Sequence, residues 1–357
     1  MSLTIYDVAK EAGYSHTAVS ATLNGRGDKA GIGRAAQKRI IEVANRLGYR
    51  RNALATALFG GQNRVLGVLI SQPDKQWVGE VLRGAFELAR ERDYLLKIVA
   101  VADTENLAEA SLDAFLEQRI SGVFLVDFDP TYQLAEHIRD DAARRRLRIL
   151  SCNSDLDIPG RHLNPDDEDG TRQAVHHLVE LGHTRIGYIG PEPIGQGRET
   201  VRWRGYRHTM EEYGFEPSDE MIHFSGWVPS QGESIKPAWL ADGAKRMPTA
   251  VLCANDQIAA RVIRQARRNG LTVPTDLSVI GFSNELLGNY IDPQLTTIHQ
   301  SYPELGRRAL ELLIEEVETN ALDGTPKRQT KKSRAKDQVL MPVELVERET
   351  TAKPRKR

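Results

Sequence analysis

Short apolar runs alternate with longer amphipathic stretches from residue 65 onward. The apolar runs have the length of β-strands and lie at 65–70, 95–101, 122–128, 148–153, 186–190, 221–225, 250–254 and 278–282. The stretches between them have helical periodicity, as at 77–92, 105–119, 170–182, 198–214, 230–245 and 256–270. This alternation is typical of parallel βαβ units with helices on both faces of each sheet.

The alternating pattern fills two successive halves of the chain, which divide near residue 165. Two such halves predict a body of two α/β lobes over residues 63–349, with 338–349 as its last strand. Ligands of open α/β sheets bind at the carboxyl ends of the strands. We therefore expect a ligand site in the cleft between the two lobes.

Residues 1–49 have a different pattern, with short helices and no strand-like run. Thr4 and Ser15 are suitable N-caps for a first and a second helix, and Gly13 can adopt the left-handed conformation that the turn between them needs. A third amphipathic helix ends at Gly48. Its predicted inward residues are Ile40, Ile41, Val43, Ala44 and Leu47.

Three residues of this segment have the spacing of a helix-turn-helix motif. Ala9 is small enough for close helix approach, Gly13 makes the turn, and Val19 fills the shared core. The same pattern also occurs in other small three-helix bundles. The spacing alone therefore leaves both interpretations open.

Charge is distributed unevenly along the chain. The formal net charge of the whole chain is −1, but residues 1–58 carry +5, residues 325–357 carry +7 and the segment between them carries −13. Two basic ends on an acidic body favour a nucleic-acid partner. The basic segment 325–337 and the tail 350–357 either attract DNA non-specifically or aid solubility.

Several protein classes are disfavoured by composition. No apolar run is long enough for a transmembrane helix, and the first residues lack the pattern of a signal peptide. Cys152 and Cys253 each lie in an apolar run, without the spacing of a metal site, so we expect reduced, buried thiols and no bound metal. These features predict a cytosolic protein that does not bind a membrane.

Longer strings of residues carry a family resemblance. In the first segment they are TIYDVAKEAG (4–13), AVS (18–20), LNG (23–25), RII (39–41) and LGY (47–49); in the body they are GHTRI (182–186), AND (254–256), SVIGF (278–282) and PQLTT (293–297). The chain closely resembles the lactose/galactose repressor (LacI/GalR) family of transcriptional regulators.

This resemblance implies an N-terminal all-α helix-turn-helix headpiece and a C-terminal α/β two-lobed, periplasmic-binding-protein-like (type I) effector domain. It implies a homodimeric, sequence-specific regulator, which we expect to be a repressor of a pseudo-palindromic operator. The expected partners are double-stranded operator DNA and a small, sugar-like effector, with no cofactor and no catalytic site. Dimerisation is expected near 77–92 and 222–240.

The resemblance places the second helix of the headpiece in the major groove of DNA. His16, Thr17 and Ala21 occupy the base-reading positions. His16 and Thr17 can donate and accept hydrogen bonds, whereas Ala21 offers only a methyl group where many relatives carry arginine. Further DNA contacts are expected from Thr4, Ser15, Ser20, Asn24 and Arg50.

Residues 50–62 match the hinge of the family. The resemblance implies that Asn52 and Ala55 contact DNA and that Leu58 enters a minor-groove step and kinks the duplex. The alternative for Leu58 is a buried contact with the body.

A polar ligand in a cleft is held by arginine, carboxylate and amide groups, with an aromatic ring against its apolar face. By resemblance, Arg202 begins an R-x-x-G-Y motif that contacts the ligand, and Asn255 follows a strand at another contact position. The full set of expected effector contacts is Ser71, Asp169, Arg202, Trp227, Asn255, Ser283 and Gln300. Two alternatives stay open, namely core packing for Trp227 and a role of Asp169 as a partner of the helix dipole. Asp256 is expected to cap a helix.

One position departs from the family pattern. The string GF (281–282) is normally followed by an aspartate that contacts the ligand, and here Ser283 follows it. Three consequences are open, namely a different or modified sugar, an anionic ligand, or loss of the effector response.

Two other classes of protein share part of this sequence pattern. The string GRGDKA (25–30) fits the dinucleotide pattern G-x-G-x-x-G/A, but no hydrophobic strand precedes it, which disfavours an enzyme of that type. A periplasmic solute-binding protein would share the two-lobed body. The lack of a signal peptide and the extra 58 residues at the N-terminus argue against it.

Overall fold

The computed structural model describes residues 3–23, 25–49, 64–101, 105–120, 122–128, 147–153, 158, 160–192, 200–227, 235, 237–241, 247–323 and 338–355. The chain divides into two compact units, Met1–Arg64 with Glu117–Arg119, and Val65–Leu116 with Ile120–Arg357. We call residues 3–49 the headpiece and residues 65–355 the body. Among the described residues, no helix is both long enough and apolar enough to cross a membrane.

The headpiece consists of three helices, α1 (Ile5–Ala12), α2 (His16–Leu23) and α3 (Arg34–Leu47). The Asp7 carboxylate accepts hydrogen bonds from Thr4 N (2.8 Å) and Thr4 Oγ1 (2.6 Å), which fixes the start of α1. Gly13 has a φ of 77° at the turn, and Ser15 Oγ accepts a hydrogen bond from Ala18 N (3.2 Å) at the start of α2. These observations confirm the two predicted caps and the glycine turn.

The headpiece core lies between the three helices. Val8, Val19 and Ile40 are fully buried in it, together with Ala9 and Val43. The prediction for Ile41 is wrong, because Ile41 is exposed. Ile41 points about 100° away from Ile40, on the side opposite to Val43, so it falls outside the buried face of α3.

The body contains, in its described residues, two sheets of six strands each. The first sheet has the order β11-β5-β4-β3-β1-β2 with all strands parallel, and its strands are β1 (Val65–Ile70), β2 (Leu95–Ala100), β3 (Gly122–Val126), β4 (Arg148–Cys152), β5 (Arg161–Pro165) and β11 (Gln338–Met341). The second sheet has the order β12-β10-β9-β8-β6-β7, with only β12 antiparallel, and its strands are β6 (Ile186–Gly190), β7 (Ile222–Phe224), β8 (Ala250–Cys253), β9 (Ser278–Ser283), β10 (Thr296–Gln300) and β12 (Val343–Val346). The predicted two-lobed α/β fold is confirmed.

Helices connect the strands of each lobe. The described helices of the body are α4 (Gln76–Glu91), α5 (Glu105–Glu117), α6 (Asp167–Glu180), α7 (Val201–Glu212), α8 (Ala238–Ala241), α9 (Asp256–Arg268), α10 (Leu287–Tyr290) and α11 (Tyr302–Asp323). In the first lobe, α4 packs along α11, and Val81, Leu88, Leu305 and Leu313 are buried between these helices and the sheet.

In the described residues, the chain passes between the lobes three times. The crossings follow β5 at Pro165, β10 at Gln300 and β11 at Met341. The prediction of a single last strand over 338–349 is wrong, because Pro342 separates β11 in the first sheet from β12 in the second. Strands β5 and β10 and helix α11 are additional to the predicted elements.

The sequence predicts a basic tail over residues 350–357, outside the body. In the structure, residues 350–355 instead pack against the second lobe. Thr350 is fully buried, and its Oγ1 donates to Val279 O (2.6 Å). The His183 ring lies 2.8 Å from Ala352 O, and Arg355 pairs with Asp276 at 3.0 Å. The described residues therefore extend the body from 349 to at least 355.

Candidate effector cleft and DNA-reading surface

A cavity of about 570 Å³ lies between the two lobes, at the carboxyl ends of the strands. This volume is in the usual range for small-molecule sites. Charged and aromatic side chains from both lobes line it, among them Lys75, Trp77, Asp127, Arg202, Trp227 and Glu285.

Arg202 lines this cavity and is itself buried. Thr200 caps α7 through a hydrogen bond from Trp203 N (3.3 Å), which places Arg202 in the first turn of the helix. Arg202 Nε donates to Asp167 Oδ2 (2.8 Å) and Nη1 donates to Ala254 O (2.5 Å). Its guanidinium also lies 4.1 Å from the ring centroid of Phe282 and 5.2 Å from that of Trp227.

Asp167 and Gln300 complete this network. Gln300 Nε2 donates to Asp167 Oδ1 (2.5 Å), and Gln300 Oε1 accepts from Arg202 Nη2 (3.4 Å) and from Tyr302 Oη (2.5 Å). Burial raises the pKa of the Asp167 carboxyl, whereas Arg202 and the Gln300 hydrogen bond lower it. Asp167 begins α6 directly after the first crossing, and Gln300 ends β10 directly before the second, so the network joins two of the described crossings between the lobes.

The first lobe supplies a second ion pair and an aromatic wall. Lys75 Nζ lies 2.6 Å from Asp127 Oδ2, and Ser71 Oγ donates to the Asp127 backbone carbonyl. The rings of Trp77 and Tyr302 stack with a centroid distance of 5.3 Å. Since Tyr302 also donates to Gln300, this wall is connected to the Arg202 network.

Four non-glycine residues with positive φ follow or end strands at this edge of the two sheets. They are Asp127 (65°), Asn153 (47°), Ser283 (110°) and Asn284 (55°). Such conformations cost on the order of 1–3 kcal/mol each and persist only where the surroundings hold them. Arg348 Nη2 donates to Asn284 Oδ1 (2.7 Å), which holds the turn after β9.

Asp256 supports this turn from the protein interior. Its carboxylate accepts hydrogen bonds from Thr297 Oγ1 (2.6 Å) and from Glu285 N (2.6 Å). A Cβ atom at Gly281 would collide with Asp256 Oδ1, so glycine is required there for Asp256 to fit. Burial raises the pKa of Asp256 to about 7. Asn255, and not Asp256 as predicted, is the N-cap of α9, through a hydrogen bond from Ile258 N (2.8 Å).

The raised pKa of Asp256 predicts a specific pH dependence of stability. Between about pH 4 and pH 7 the folded protein keeps a proton that the unfolded chain has lost, so this group's stabilisation is complete below pH 4 and is lost as the pH rises through 7. We expect the wild type to lose up to about 1.4 kcal/mol per pH unit relative to Asp256→Asn over this interval. Urea denaturation of both proteins from pH 4 to pH 8 measures the difference. Parallel pH profiles would contradict the prediction.

The structure places the seven predicted effector residues in three groups. Arg202, Trp227, Asn255 and Ser283 line the cavity, and Trp227 is 38% exposed, which disfavours core packing. Ser71 and Gln300 are buried and contact Asp127 and Arg202. Asp169 lies outside the cavity lining, where it accepts hydrogen bonds from Arg172 and Gln173.

Among the cavity residues that were missed in the sequence, four matter most for its chemistry. Asp167 takes the place expected for Asp169, and Lys75, Tyr302 and Glu285 had no motif that marked them. Asp167 could have been considered, because it belongs to the same run of acids, DDED (166–169). The structure describes no group of three or more histidine, cysteine or acidic side chains that could hold a metal ion, in the part of the chain it covers.

The headpiece presents a polar surface on α2. His16 and Thr17 are exposed in its first turn, beside the capping Ser15, while Ser20 and Ala21 are half-buried. The ring of Tyr6, from α1, stacks on His16 with a centroid distance of 5.3 Å and an interplanar angle of 14°. Tyr6, the second residue of α1, was missed in the sequence.

Other predicted DNA contacts are not covered by the structure. Asn24, Arg50, Asn52, Ala55 and Leu58 lie outside the described residues, as do the hinge 50–62 and the basic segment 325–337. Thr4 is exposed and bonded to Asp7.

Comparisons with known proteins agree with both units. The family described as "Bacterial regulatory proteins, lacI family" matches residues 4–52, and a "Periplasmic binding protein-like domain" matches residues 175–351. The chain is 30% identical over 357 residues to the HTH-type transcriptional regulator DegA of Bacillus subtilis (strain 168), covering 99% of both chains. It is 30% identical over 325 residues to the HTH-type transcriptional repressor PurR of Aliivibrio fischeri (strain MJ11), covering 88% of this chain and 91% of PurR.

A solved structure shows the same likeness. The Lac repressor dimer bound to operator and the anti-inducer ONPF is 25% identical, with a TM-score of 0.80, over 99% of this chain and 100% of the repressor chain. With the helix-turn-helix headpiece and the two-lobed body, these relatives identify a DNA-binding transcriptional regulator and not an enzyme. The chain belongs to the LacI family of bacterial regulatory proteins.

Proposed function

We propose that this protein is a repressor that binds a pseudo-palindromic operator as a homodimer and that a small, sugar-like effector in the cleft changes its affinity for DNA. The observation that carries the proposal is the Arg202 network, which lines the cavity and joins two crossings between the lobes. A ligand that competes for these hydrogen bonds acts directly on the segments that set the angle between the lobes.

The lining of the cavity supports a polar, hydroxylated effector. The amides of Asn153, Asn164 and Asn255 can bind hydroxyl groups, and Trp227 offers a ring for an apolar sugar face. An effector that favours one arrangement of the lobes shifts the population that can bind the operator, and operator binding must in turn change effector affinity. We propose a cytosolic site of action, because the DNA partner lies there.

The headpiece supports the DNA-reading part of the proposal. Ser15, His16 and Thr17 form an exposed polar edge at the start of α2, suited to base and phosphate contacts in the major groove. The hinge contacts of Asn52, Ala55 and Leu58 remain part of the proposal. The relative with the solved structure is a dimer bound to operator, which supports dimeric binding here.

A DNA-binding experiment tests this proposal. Fluorescence anisotropy compares a duplex from the gene's own upstream region with a scrambled duplex over a salt series. We expect preference for the upstream duplex, and loss of that preference in Leu58→Gly. Equal binding to both duplexes, with the same salt dependence, would contradict sequence-specific repression.

The stack of Tyr6 on His16 adds a prediction for the headpiece. Because the stack holds the His16 ring in place, Tyr6→Ala is expected to weaken operator binding by about tenfold, close to the 1–3 kcal/mol of one base contact. Tyr6→Phe keeps the ring and is expected to bind within about threefold of wild type. The same anisotropy assay measures both variants. An equal loss in Tyr6→Phe would show that the hydroxyl group, and not the stack, is responsible.

A further inference from the structure

The cations that line the cavity are already paired with carboxylates in the described residues. Lys75 lies 2.6 Å from Asp127, Arg202 lies 2.8 Å from Asp167, and Arg204 Nη2 lies 2.8 Å from Glu168 Oε2. An anionic ligand would have to displace one of these carboxylates. The pairing therefore disfavours an anionic effector.

Glu285 has no such ionic partner. Its side chain lines the cavity, yet the residue is only 8% exposed. The hydrogen bond described for its carboxylate is a long one, from Gln257 Nε2 at 3.3 Å. Glu285 belongs to none of these three ion pairs, although the nearby charge of Arg202 lowers the pKa of its carboxyl. Burying a carboxylate without an ion-pair partner costs free energy, so a cationic ligand group would be stabilised beside Glu285.

The backbone around Glu285 is built to hold this carboxylate at the cavity. Ser283 and Asn284 both have positive φ, and Asn284 is fixed by Arg348. The Glu285 amide is fixed by Asp256, for which Gly281 leaves room. Strain held in this way at a ligand cavity indicates a functional position.

We propose that Glu285 is the ligand-binding carboxylate of the cleft and that the effector carries a protonated amine that pairs with it, as in an amino sugar. This inference rests on the proposed function of the cleft. It also accounts for Ser283, which stands where the family pattern has an aspartate, because the Glu285 carboxylate supplies the acceptor two residues further along the chain. Burial raises the pKa of Glu285, whereas the Gln257 hydrogen bond and the charge of Arg202 lower it in part, and a bound ammonium group would lower it further.

Matched ligand pairs test the proposal on the full-length protein. Calorimetry compares D-glucosamine with D-glucose and D-galactosamine with D-galactose, and D-gluconate serves as the anionic probe. We expect at least one amine to bind about 30-fold or more tightly than its neutral counterpart, as a desolvated charge pair allows. We expect Glu285→Gln to reduce this ratio to about threefold or less.

Two further variants serve as controls. Glu285→Asp keeps the charge and is expected to retain part of the amine preference, even if Glu285→Gln folds poorly. Glu344→Gln removes an exposed carboxylate of the second lobe and is expected to bind like wild type. Equal binding of amine and neutral sugars, preference for the anion, or no binding of either amine would overturn the proposal.

A separate readout distinguishes this inference from the proposed function. If a neutral sugar binds the cavity at least as tightly as its amine counterpart and changes operator affinity, the proposed function stands and the amine inference fails. If an amine binds with dependence on Glu285 but leaves operator affinity unchanged at every concentration, the amine inference stands and effector control of DNA binding fails.

Discussion

Replacement of Gly84 by alanine is expected to lower the free energy of unfolding of the body by about 3 kcal/mol, at the upper end of the usual cost of overpacking a core. Helices α4 and α11 cross so closely that a Cβ atom at Gly84 would collide with the backbone carbonyl of Pro303. On the facing helix, a Cβ atom at Gly306 would collide with the carbonyl of Val81. Because the obstacle is backbone, a rotamer change cannot relieve it and the helices must separate.

The same helix provides a control for this prediction. Gly79 also lies in α4, but a Cβ atom there would meet nothing within 4 Å. Gly79→Ala is therefore expected to stabilise the protein by up to about 1 kcal/mol, through helix propensity alone. Urea denaturation followed by circular dichroism measures both variants. Equal effects of Gly84→Ala and Gly79→Ala would show that the crossing tolerates a wider separation than the structure indicates.

Gly306→Ala extends the test to the facing helix. Since either alanine opens the same crossing, the double variant Gly84→Ala/Gly306→Ala is expected to lose less stability than the two single variants together. Additive losses would mean that the two glycines act at independent contacts.

The periodicity of apolar residues was enough to predict the two lobes and the headpiece. It was not enough to predict the strands and the helix at the crossings between the lobes. The apolar runs of β1, β3 and β9 are unmistakable, but β5 (RHLNP) and β10 (TTIHQ) are short and mixed in polarity. Helix α11 has visible helical periodicity and could have been predicted. Its place could not, because periodicity does not reveal that the chain returns from the second sheet to the first after Gln300.

The site shows the same division between local pattern and three-dimensional placement. The R-x-x-G-Y motif was enough to find Arg202, and the run of acids at the start of α6 contains its carboxylate partner, although the sequence pointed to Asp169. Residues 167 and 169 point about 200° apart on a helix, so only the packed orientation of α6 determines that Asp167, and not Asp169, faces Arg202. The position of Glu285 at the cavity could not be predicted for a similar reason. Two successive positive φ angles, at Ser283 and Asn284, redirect the chain after β9.

Replacement of Arg202 by methionine is expected to have the second large effect, a loss of about 3–5 kcal/mol in the free energy of unfolding. The variant leaves Asp167 in the interior without its cation, and Gln300 alone cannot compensate the buried charge. Asp167→Asn in the same chain removes that charge. The double variant Arg202→Met/Asp167→Asn is therefore expected to be more stable than Arg202→Met alone.

Arg204, two residues further along α7, is a matched control. Each arginine lies on α7 and forms an ion pair at 2.8 Å with a carboxylate, Arg202 with Asp167 and Arg204 with Glu168. The side chains of the first pair are 7% and 15% exposed, whereas those of the second pair are 40% and 44% exposed. Exposed pairs contribute little, so Arg204→Met is expected to cost less than about 1 kcal/mol. If the two variants lost equal stability in urea denaturation, burial would not be what distinguishes them. The Arg202 network would then be no more than one surface ion pair among several, and its proposed role between the crossings would fail with it.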